Sequence, residues 1–204
     1  MAENRLIKIL FKSLFDPMAA FEELRRAEPD PVEIFCKYSL WLLLMPPVFA
    51  WIGSYTVGWQ VGADEPLHMS MFAMNFVSIG YFLLLIFGFI STSLISQWMA
   101  ATYNADTNLG RHFALITIIG EPLAVASIAH LFPNIFFNVL VLIPTMIWSM
   151  YLLYKGVPVV LQTSSDRGML MASSLVGWLL VAAVSLLGIS MGLWTAGYGP
   201  LLGV

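Results

Sequence analysis

Charged side chains are scarce in this sequence. Nine Lys or Arg and twelve Asp or Glu occur among 204 residues, 10% of the chain, whereas an ordinary soluble domain carries about 25%. Apolar residues make up 59% of the chain, and its mean hydropathy is +0.84. This composition excludes a soluble globular protein and predicts an all-α integral membrane protein, because helices satisfy their own backbone hydrogen bonds in lipid.

The chain has one cysteine, no basic cluster and neither of two common catalytic motifs. Cys36 is the single cysteine, which excludes an internal disulfide and a thiolate metal site. A net charge of −3 without a basic cluster argues against nucleic acid, whose phosphates need several cations. His68, His112 and His130 fall in three different predicted loops, so they cannot share a metal ion. With no phosphate-binding glycine loop and no His-Glu-x-x-His motif, we expect no enzymatic activity, no cofactor and no metal.

The charge-free intervals predict five membrane-spanning helices. A helix needs about 20 apolar residues to cross a hydrocarbon core of about 30 Å. Residues 1–37 hold six of the nine basic and seven of the twelve acidic residues, which leaves long uncharged stretches behind them. We therefore expect a helical lead-in over residues 1–30 and a five-helix bundle over residues 31–204. The predicted spans cover about residues 36–60, 70–101, 112–130, 134–154 and 169–194.

The basic residues fall on one side of this five-span arrangement. Six lie in the N-terminal segment, Arg111 follows the second span, and Lys155 and Arg167 flank the loop after the fourth. The opposite side has none. Because Lys and Arg collect on the cytoplasmic side of membrane proteins, we expect a cytoplasmic N terminus and an extracytoplasmic C terminus.

The first fifteen residues have the pattern of an amphipathic helix lying in the membrane interface. Lysines interrupt every apolar stretch before it reaches the length that a signal peptide requires. Such a helix is a cytoplasmic, interfacial lead-in to the bundle. Its apolar face consists of Leu6, Ile7, Leu10, Phe11 and Leu14, and its basic face of Arg5, Lys8 and Lys12.

Two Asp-Pro pairs predict helix starts. Asp16-Pro17 and Asp30-Pro31 each place an N-cap acceptor before a proline that fits the first helical turn. The first pair begins a short helix over residues 17–27, and the second begins the helix that leads into the first span. One side of the short helix is apolar, with Met18, Phe21 and Leu24.

Glu121 is the one ionisable residue that the sequence places deep in a span, about 15 Å past Arg111 at 1.5 Å per residue. Intramembrane acids often serve proton or ion pathways, and Pro122 frees a backbone carbonyl one turn earlier. The alternative is structural: a protonated Glu121 bonded to that carbonyl or to Asn138. Ser91 and Ser93 make part of the second span polar and either line a cavity or bond back to their own helix.

Gly188 and Gly192 form a Gly-x-x-x-Gly motif in the fifth span. This spacing lets two membrane helices approach closely. It predicts either a homo-oligomer or close packing within the bundle.

The order and spacing of several motifs resemble the Yip family of membrane proteins, in its bacterial inner-membrane branch. Asp16 and Pro17 belong to the first of these motifs, and Tyr154, Gly156 and Pro158 belong to the most specific one. The resemblance implies a multi-pass inner-membrane protein with five helices, a cytosolic N terminus and no assigned activity. The motifs are Leu14-Phe-Asp-Pro-Met-Ala-Ala-Phe-Glu-Glu23, Trp51-Ile-Gly-Ser-Tyr-Thr-Val-Gly-Trp59, Pro122-Leu123, Tyr151-Leu-Leu-Tyr-Lys-Gly-Val-Pro158 and Gly197-Tyr198-Gly199.

Eukaryotic relatives in this family are linked to Rab GTPases and vesicle traffic. Their acidic Asp-Leu-Tyr-Gly-Pro type of element is missing from this sequence. The Rab role is therefore not carried over to this chain.

Three functions fit the sequence. The first is a non-enzymatic membrane scaffold that binds a membrane or cytoplasmic protein through residues 1–37, or binds its own copies. The alternative is a small transporter or channel that uses Glu121. The third is remodelling of lipid by the interfacial helix. A transporter predicts Glu121 in a wet crevice near Ser91, Ser93 or Asn138. A scaffold predicts that a hydrogen bond seals Glu121 and that the apolar side of the short helix, with Met18, Phe21 and Leu24, is exposed.

Overall fold

A computed structural model describes residues 8–9, 12–13, 15–60, 66 and 68–195. These residues form six helices and an isolated bridge between Gln60 and Asn134. Five of the helices are long and apolar enough to span a membrane, which confirms the predicted number. The helices are α1 (Pro17–Arg25), α2 (Pro31–Thr56), α3 (Met71–Ala100), α4 (Leu109–Leu131), α5 (Ile135–Val160) and α6 (Ser165–Thr195).

The predicted amphipathic helix depends on five apolar residues, and all five lie outside the described part of the chain. The Gly-Tyr-Gly motif at residues 197–199 also lies outside it. Both Asp-Pro helix starts are present. Asp16 Oδ1 accepts from the Ala19 amide at 3.1 Å, and Asp30 Oδ2 accepts from the Glu33 amide at 2.8 Å. Each aspartate thus satisfies an amide that the first helical turn leaves without a partner.

A π-helical turn over Phe35–Ser39 interrupts α2. Such turns insert an extra residue into the helix, often at functional sites, and they change the direction in which side chains point. Here the turn ends at Ser39, whose side chain is buried against α4. The sequence offered no signal for it.

α4 is the central helix of the bundle. Half of its most apolar stretch is buried within the chain, against 11% to 22% for the other four spans, whose surfaces face lipid. Aromatic contacts join it to its neighbours: the Phe89 ring of α3 meets Phe113 edge-on at 5.3 Å and stacks on Phe35 of α2 at 5.9 Å. Glu121 and Pro122 therefore belong to the most enclosed element of the fold.

The three segments that carry the basic residues meet at one end of the bundle, called the basic end below. Arg111 Nε donates to the Ala27 carbonyl at 3.1 Å, and Arg111 also pairs with Asp106. The Asp106 amide donates to the Leu161 carbonyl at 2.7 Å. The opposite end is closed by the Gln60 amide, which donates to the Pro133 carbonyl at 2.9 Å.

α1 packs into the bundle rather than lying on it. Phe21 and Leu24 are buried in the main core, while Met18 is 41% exposed. The expected exposed apolar patch is therefore wrong for Phe21 and Leu24, because that face of α1 packs against α5 and α4. An apolar stripe on a helix indicates that this face is buried, but it does not show whether the bundle or a partner protein covers it.

Candidate functional site

Glu121 bonds to the N-terminal segment. Glu121 is a residue of α4 and is 6% exposed. Pro122, the next residue, is also buried. Ser13, which is 1% exposed, donates from Oγ to Glu121 Oε2 at 2.5 Å. The carboxyl group is thus covered by a residue 108 positions earlier in the chain. Sequence reasoning missed Ser13, because it assigned residues 1–15 to the membrane surface.

Asn138, a predicted partner of Glu121, instead closes the turn between α4 and α5. Its amide nitrogen donates to the carbonyls of Phe132 at 2.8 Å and Asn134 at 2.9 Å. Its Oδ1 accepts from His130 Nδ1 at 2.6 Å. The structure therefore places Asn138 at the end of the bundle opposite the basic end.

Ser91 and Ser93 bond to their own helix. Ser91 donates to the Gly88 carbonyl at 3.2 Å, and Ser93 donates to the Phe89 carbonyl at 2.9 Å. Each hydroxyl has one proton to give, and here α3 receives it. Of the five residues predicted to share a site, only the adjacent Glu121 and Pro122 lie together in the described structure.

A buried hydroxyl pair lies one helical turn from Glu121. Thr117 Oγ1 donates to the Phe113 carbonyl at 2.8 Å and lies 2.7 Å from Ser39 Oγ. Ser39 Oγ also lies 3.3 Å from the Ile34 carbonyl, so each hydroxyl has a backbone acceptor and either one can donate to the other. The π-helical turn of α2 brings Ser39 to this place, so no sequence pattern could have paired them.

A cavity of about 280 Å³ lies between α2, α3, α4 and α5. Glu121 does not line it, although Thr117 and Gly120 of the same helix do. Most of the wall is apolar. Its side chains come from Leu42, Leu43, Pro46, Leu85, Phe89, Ile116, Leu123, Ala124, Ala126, Ala129, Val141 and Leu142, with Ser39, Tyr81, Thr117, Ser127, His130 and Asn138 as polar members.

His112 holds the loop between α3 and α4. The sequence placed it in a loop, but it lies in the first turn of α4 and is fully buried. Nε2 lies 2.8 Å from the Asp106 carbonyl, and Nδ1 lies 2.7 Å from Ser96 Oγ. Since a carbonyl only accepts, Nε2 carries the proton, and Ser96 donates to Nδ1 of the neutral ring. His68 and His130 stand elsewhere in the fold.

The residues of the Tyr-x-Gly-x-Pro motif lie in α5 and contact three other helices, α1, α4 and α6. They lie inside α5, which continues to Val160 rather than ending near Tyr154. Tyr154 Oη is 3.0 Å from Ser173 Oγ of α6. A Cβ atom at Gly156 would come within 2.7 Å of Leu115 and 2.9 Å of the Phe21 ring, so the missing side chain makes room for α1. Pro158 packs against Gly168 of α6.

Gly188 and Gly192 lie in the second half of α6, where the described side chains are half-buried or exposed. A Cβ atom at either glycine would meet no atom of the described chain within 4 Å. Residues 188–192 also spell Gly-x-Ser-x-Gly, the pattern of a hydrolase nucleophile elbow. That elbow requires a sharp turn from a strand to a helix, whereas these residues lie in a continuous helix.

The fold and these contacts define a polytopic α-helical membrane protein whose central helix carries a covered carboxyl group. The Yip1 domain matches residues 11–195. The chain therefore belongs to the Yip1 domain family, which confirms the resemblance seen in the sequence.

The chain is similar to the inner membrane protein YohC of two Escherichia coli strains, K12 and O6:H1. In both, 24% of residues are identical over 164 residues, which cover 80% of this chain and 84% of the relative. No solved structure matches the chain.

Proposed function

We propose that this protein is a non-enzymatic, multi-pass scaffold of the bacterial inner membrane that assembles with its own copies through the second half of α6. The observation that carries the proposal is the isolation of this half-helix. After Leu175, all of its described side chains are half-buried or exposed, with Leu187 at 71%. A Cβ atom at Gly177, Gly188 or Gly192 would meet no atom of the described chain within 4 Å.

The composition of this half-helix supports a helix partner rather than lipid alone. Gly177, Ser185, Gly188 and Gly192 fall on one face at the helical period. Each glycine lowers helix stability by about 1 kcal/mol relative to alanine, which a purely lipid-facing helix has no reason to bear. A face of small residues lets two backbones approach closely. A second copy presents the same face, as a two-fold interface requires.

The surroundings of Glu121 favour a scaffold over a transporter. Its hydrogen-bond partner among the described residues is Ser13, and Ser91, Ser93 and Asn138 all bond elsewhere. A relay needs a chain of exchangeable groups, and the nearest hydroxyl pair, Ser39 and Thr117, bonds to itself and to backbone carbonyls rather than to Glu121. The carboxyl group in this proposal fastens the N-terminal segment to α4.

Residues 1–37 are the proposed contact surface for a cytoplasmic or membrane protein. Phe15 is 88% exposed and Val32 is 65% exposed at the basic end. We assign this end to the cytoplasm, because the basic residues collect there. The inner membrane follows from the family and from the printed description of the E. coli relatives.

The alternative, a small transporter or channel that uses Glu121, has one observation in its favour. The cavity between four helices is lined by Thr117 and Gly120, which precede Glu121 on α4 within one helical turn. A rotation of α4, or withdrawal of Ser13, would bring the carboxyl group toward that space.

Oxidative cross-linking in native membranes tests the scaffold. In a Cys36→Ala background, Gly188→Cys is expected to form a disulfide-linked dimer. The matched control is Leu186→Cys, which lies at the same depth on the opposite face of α6. A disulfide-linked dimer of the Gly188→Cys variant, with none for the Leu186→Cys variant, supports the proposed interface. Equal cross-linking at both positions, or none at either, contradicts it.

A further inference from the structure

The cavity between α2, α3, α4 and α5 has an apolar part and a polar end. Leu42, Leu43 and Phe89 line the apolar part, toward the basic end. His130 and Asn138 line the other end, beside the turn between α4 and α5. At about 280 Å³, it approaches the lower limit of ligand pockets, about 300 Å³. An apolar space at membrane depth is a poor site for water.

His130 lines this cavity and has one ring nitrogen without a partner among the described residues. Asn138 gives its amide protons to two backbone carbonyls, which fixes its Oδ1 as the atom that faces His130. An amide oxygen only accepts, so His130 donates from Nδ1. In the tautomer that carries its proton on Nδ1, Nε2 keeps a lone pair, and no described residue donates to it.

Tyr81 also lines this cavity, and its hydroxyl group has no described partner. The residue is half-buried in α3, and its Oη has no hydrogen-bond partner among the described residues. The remaining polar wall residues are satisfied within the chain: Ser127 donates to the Ala124 carbonyl at 2.5 Å, and Ser39 and Thr117 pair with each other. The wall therefore offers the Tyr81 hydroxyl group, as a donor or acceptor, and the Nε2 atom of His130, as an acceptor.

We infer that this cavity binds one single-chain lipid that carries a hydroxyl group and an ester carbonyl, as in a monoacylglycerol or a lysophospholipid. The acyl chain occupies the apolar part of the cavity. The hydroxyl group of the lipid donates to His130 Nε2, and its ester carbonyl accepts from Tyr81 Oη. This site is separate from the α6 interface, so it stands whether or not the protein self-associates.

Gly120 provides a variant that fills the cavity without disturbing the fold. It lines the wall, and a Cβ atom there would meet no atom within 4 Å. Gly120→Leu therefore places a side chain in the lipid's space. Gly80→Leu is the matched control, because Gly80 is equally unhindered but does not line the cavity. Both changes replace glycine inside a helix and raise its helix propensity.

The test is native mass spectrometry of the full chain in detergent, with 1-monooleoylglycerol, oleoyl-lysophosphatidylethanolamine or methyl oleate added. We expect one bound molecule of at least one hydroxyl lipid and about tenfold weaker binding of methyl oleate. Gly120→Leu should abolish this adduct and Gly80→Leu should keep it. Tyr81→Phe should weaken binding about fivefold, as expected for one neutral hydrogen bond.

The two hydroxyl lipids separate the sources of the ligand. Binding of both supports a site for monoacylated glycerol lipids in general, and binding of one identifies its headgroup class. The inference is overturned if neither forms a single adduct, if methyl oleate binds equally well, or if Gly120→Leu retains the lipid as Gly80→Leu does.

Discussion

Ser13 Oγ donates to Glu121 Oε2 at 2.5 Å and so joins the N-terminal segment to the central helix of the bundle. An acid in a membrane span costs free energy unless it is paired or hydrogen-bonded. The serine hydroxyl supplies such a bond. The same contact holds the chain ahead of α1 against the bundle, where Ile9 is also buried.

Glu121→Gln should leave this attachment in place, because the amide oxygen still accepts from Ser13. Glu121→Leu removes this acceptor, and loss of a buried hydrogen bond to the carboxyl group costs about 1–3 kcal/mol. We expect the leucine variant to unfold several degrees lower in detergent and trypsin to cleave it sooner in the N-terminal segment. The glutamine variant should behave as the wild type in both measurements.

Proton flux into proteoliposomes, followed with an internal pH dye, separates the scaffold from the transporter. A scaffold gives the same flux for the wild type, for Glu121→Gln and for empty vesicles. A flux specific to the wild type that glutamine abolishes would refute the scaffold and establish Glu121 as a transport site.

The packing of α1 against α5 gives a second prediction. A Cβ atom at Gly156 would press on Leu115 and on the buried Phe21 ring. Overpacking of this kind costs about 1–3 kcal/mol. Gly156→Ala should therefore lower the thermal midpoint and loosen α1, seen as faster tryptic cleavage after Arg25 and Arg26.

Phe21→Leu in the Gly156→Ala background should recover part of the loss, because the smaller side chain leaves room for the new methyl group. Gly80→Ala serves as the control, since its Cβ atom meets nothing within 4 Å. Additive effects of Phe21→Leu and Gly156→Ala would contradict the contact, because residues that touch are expected to couple.

Local signals explain what the sequence could predict. Uncharged stretches of sufficient length fixed the number of spans, and Asp16 and Asp30 marked two helix starts, because caps act within one turn. The Yip1 family relation was also visible in local motifs. Glu121 stood out because a lone acid in an apolar span is unusual.

The features that the sequence could not predict depend on contacts between residues far apart in the chain. The partner of Glu121 lies 108 positions away, in a segment whose amphipathic pattern fits a membrane surface equally well. The pairing of Ser39 with Thr117 depends on a π-helical turn that no residue type announces. The cavity is formed by four helices at once and has no counterpart in any single stretch of sequence.

The ion pair and the hydrogen bond of Arg111 at the basic end give a third prediction. Its guanidinium group pairs with Asp106 and donates from Nε to the Ala27 carbonyl. A lysine keeps the charge but cannot reproduce this forked geometry. Arg111→Lys should therefore destabilise the bundle by about 1–2 kcal/mol, since hydrogen bonds from charged groups contribute about 1.5–3 kcal/mol each.

Chemical denaturation in detergent measures this loss. Asp106→Asn alone should also destabilise the protein, and its effect should shrink in the Arg111→Lys background. If Arg111→Lys unfolds at the wild-type denaturant concentration, the forked contact contributes nothing to stability.

Membrane topology gives the last prediction. The three segments with the basic residues meet at one end through the Arg111, Asp106 and Leu161 contacts. Five spans place the end of α6 on the opposite side. Since Lys and Arg favour the cytoplasm, a C-terminal alkaline phosphatase fusion should be active and a C-terminal green fluorescent protein fusion dark. The reverse pattern would place the basic end outside and remove residues 1–37 from any cytoplasmic partner, while the α6 interface and the lipid cavity would stand unchanged.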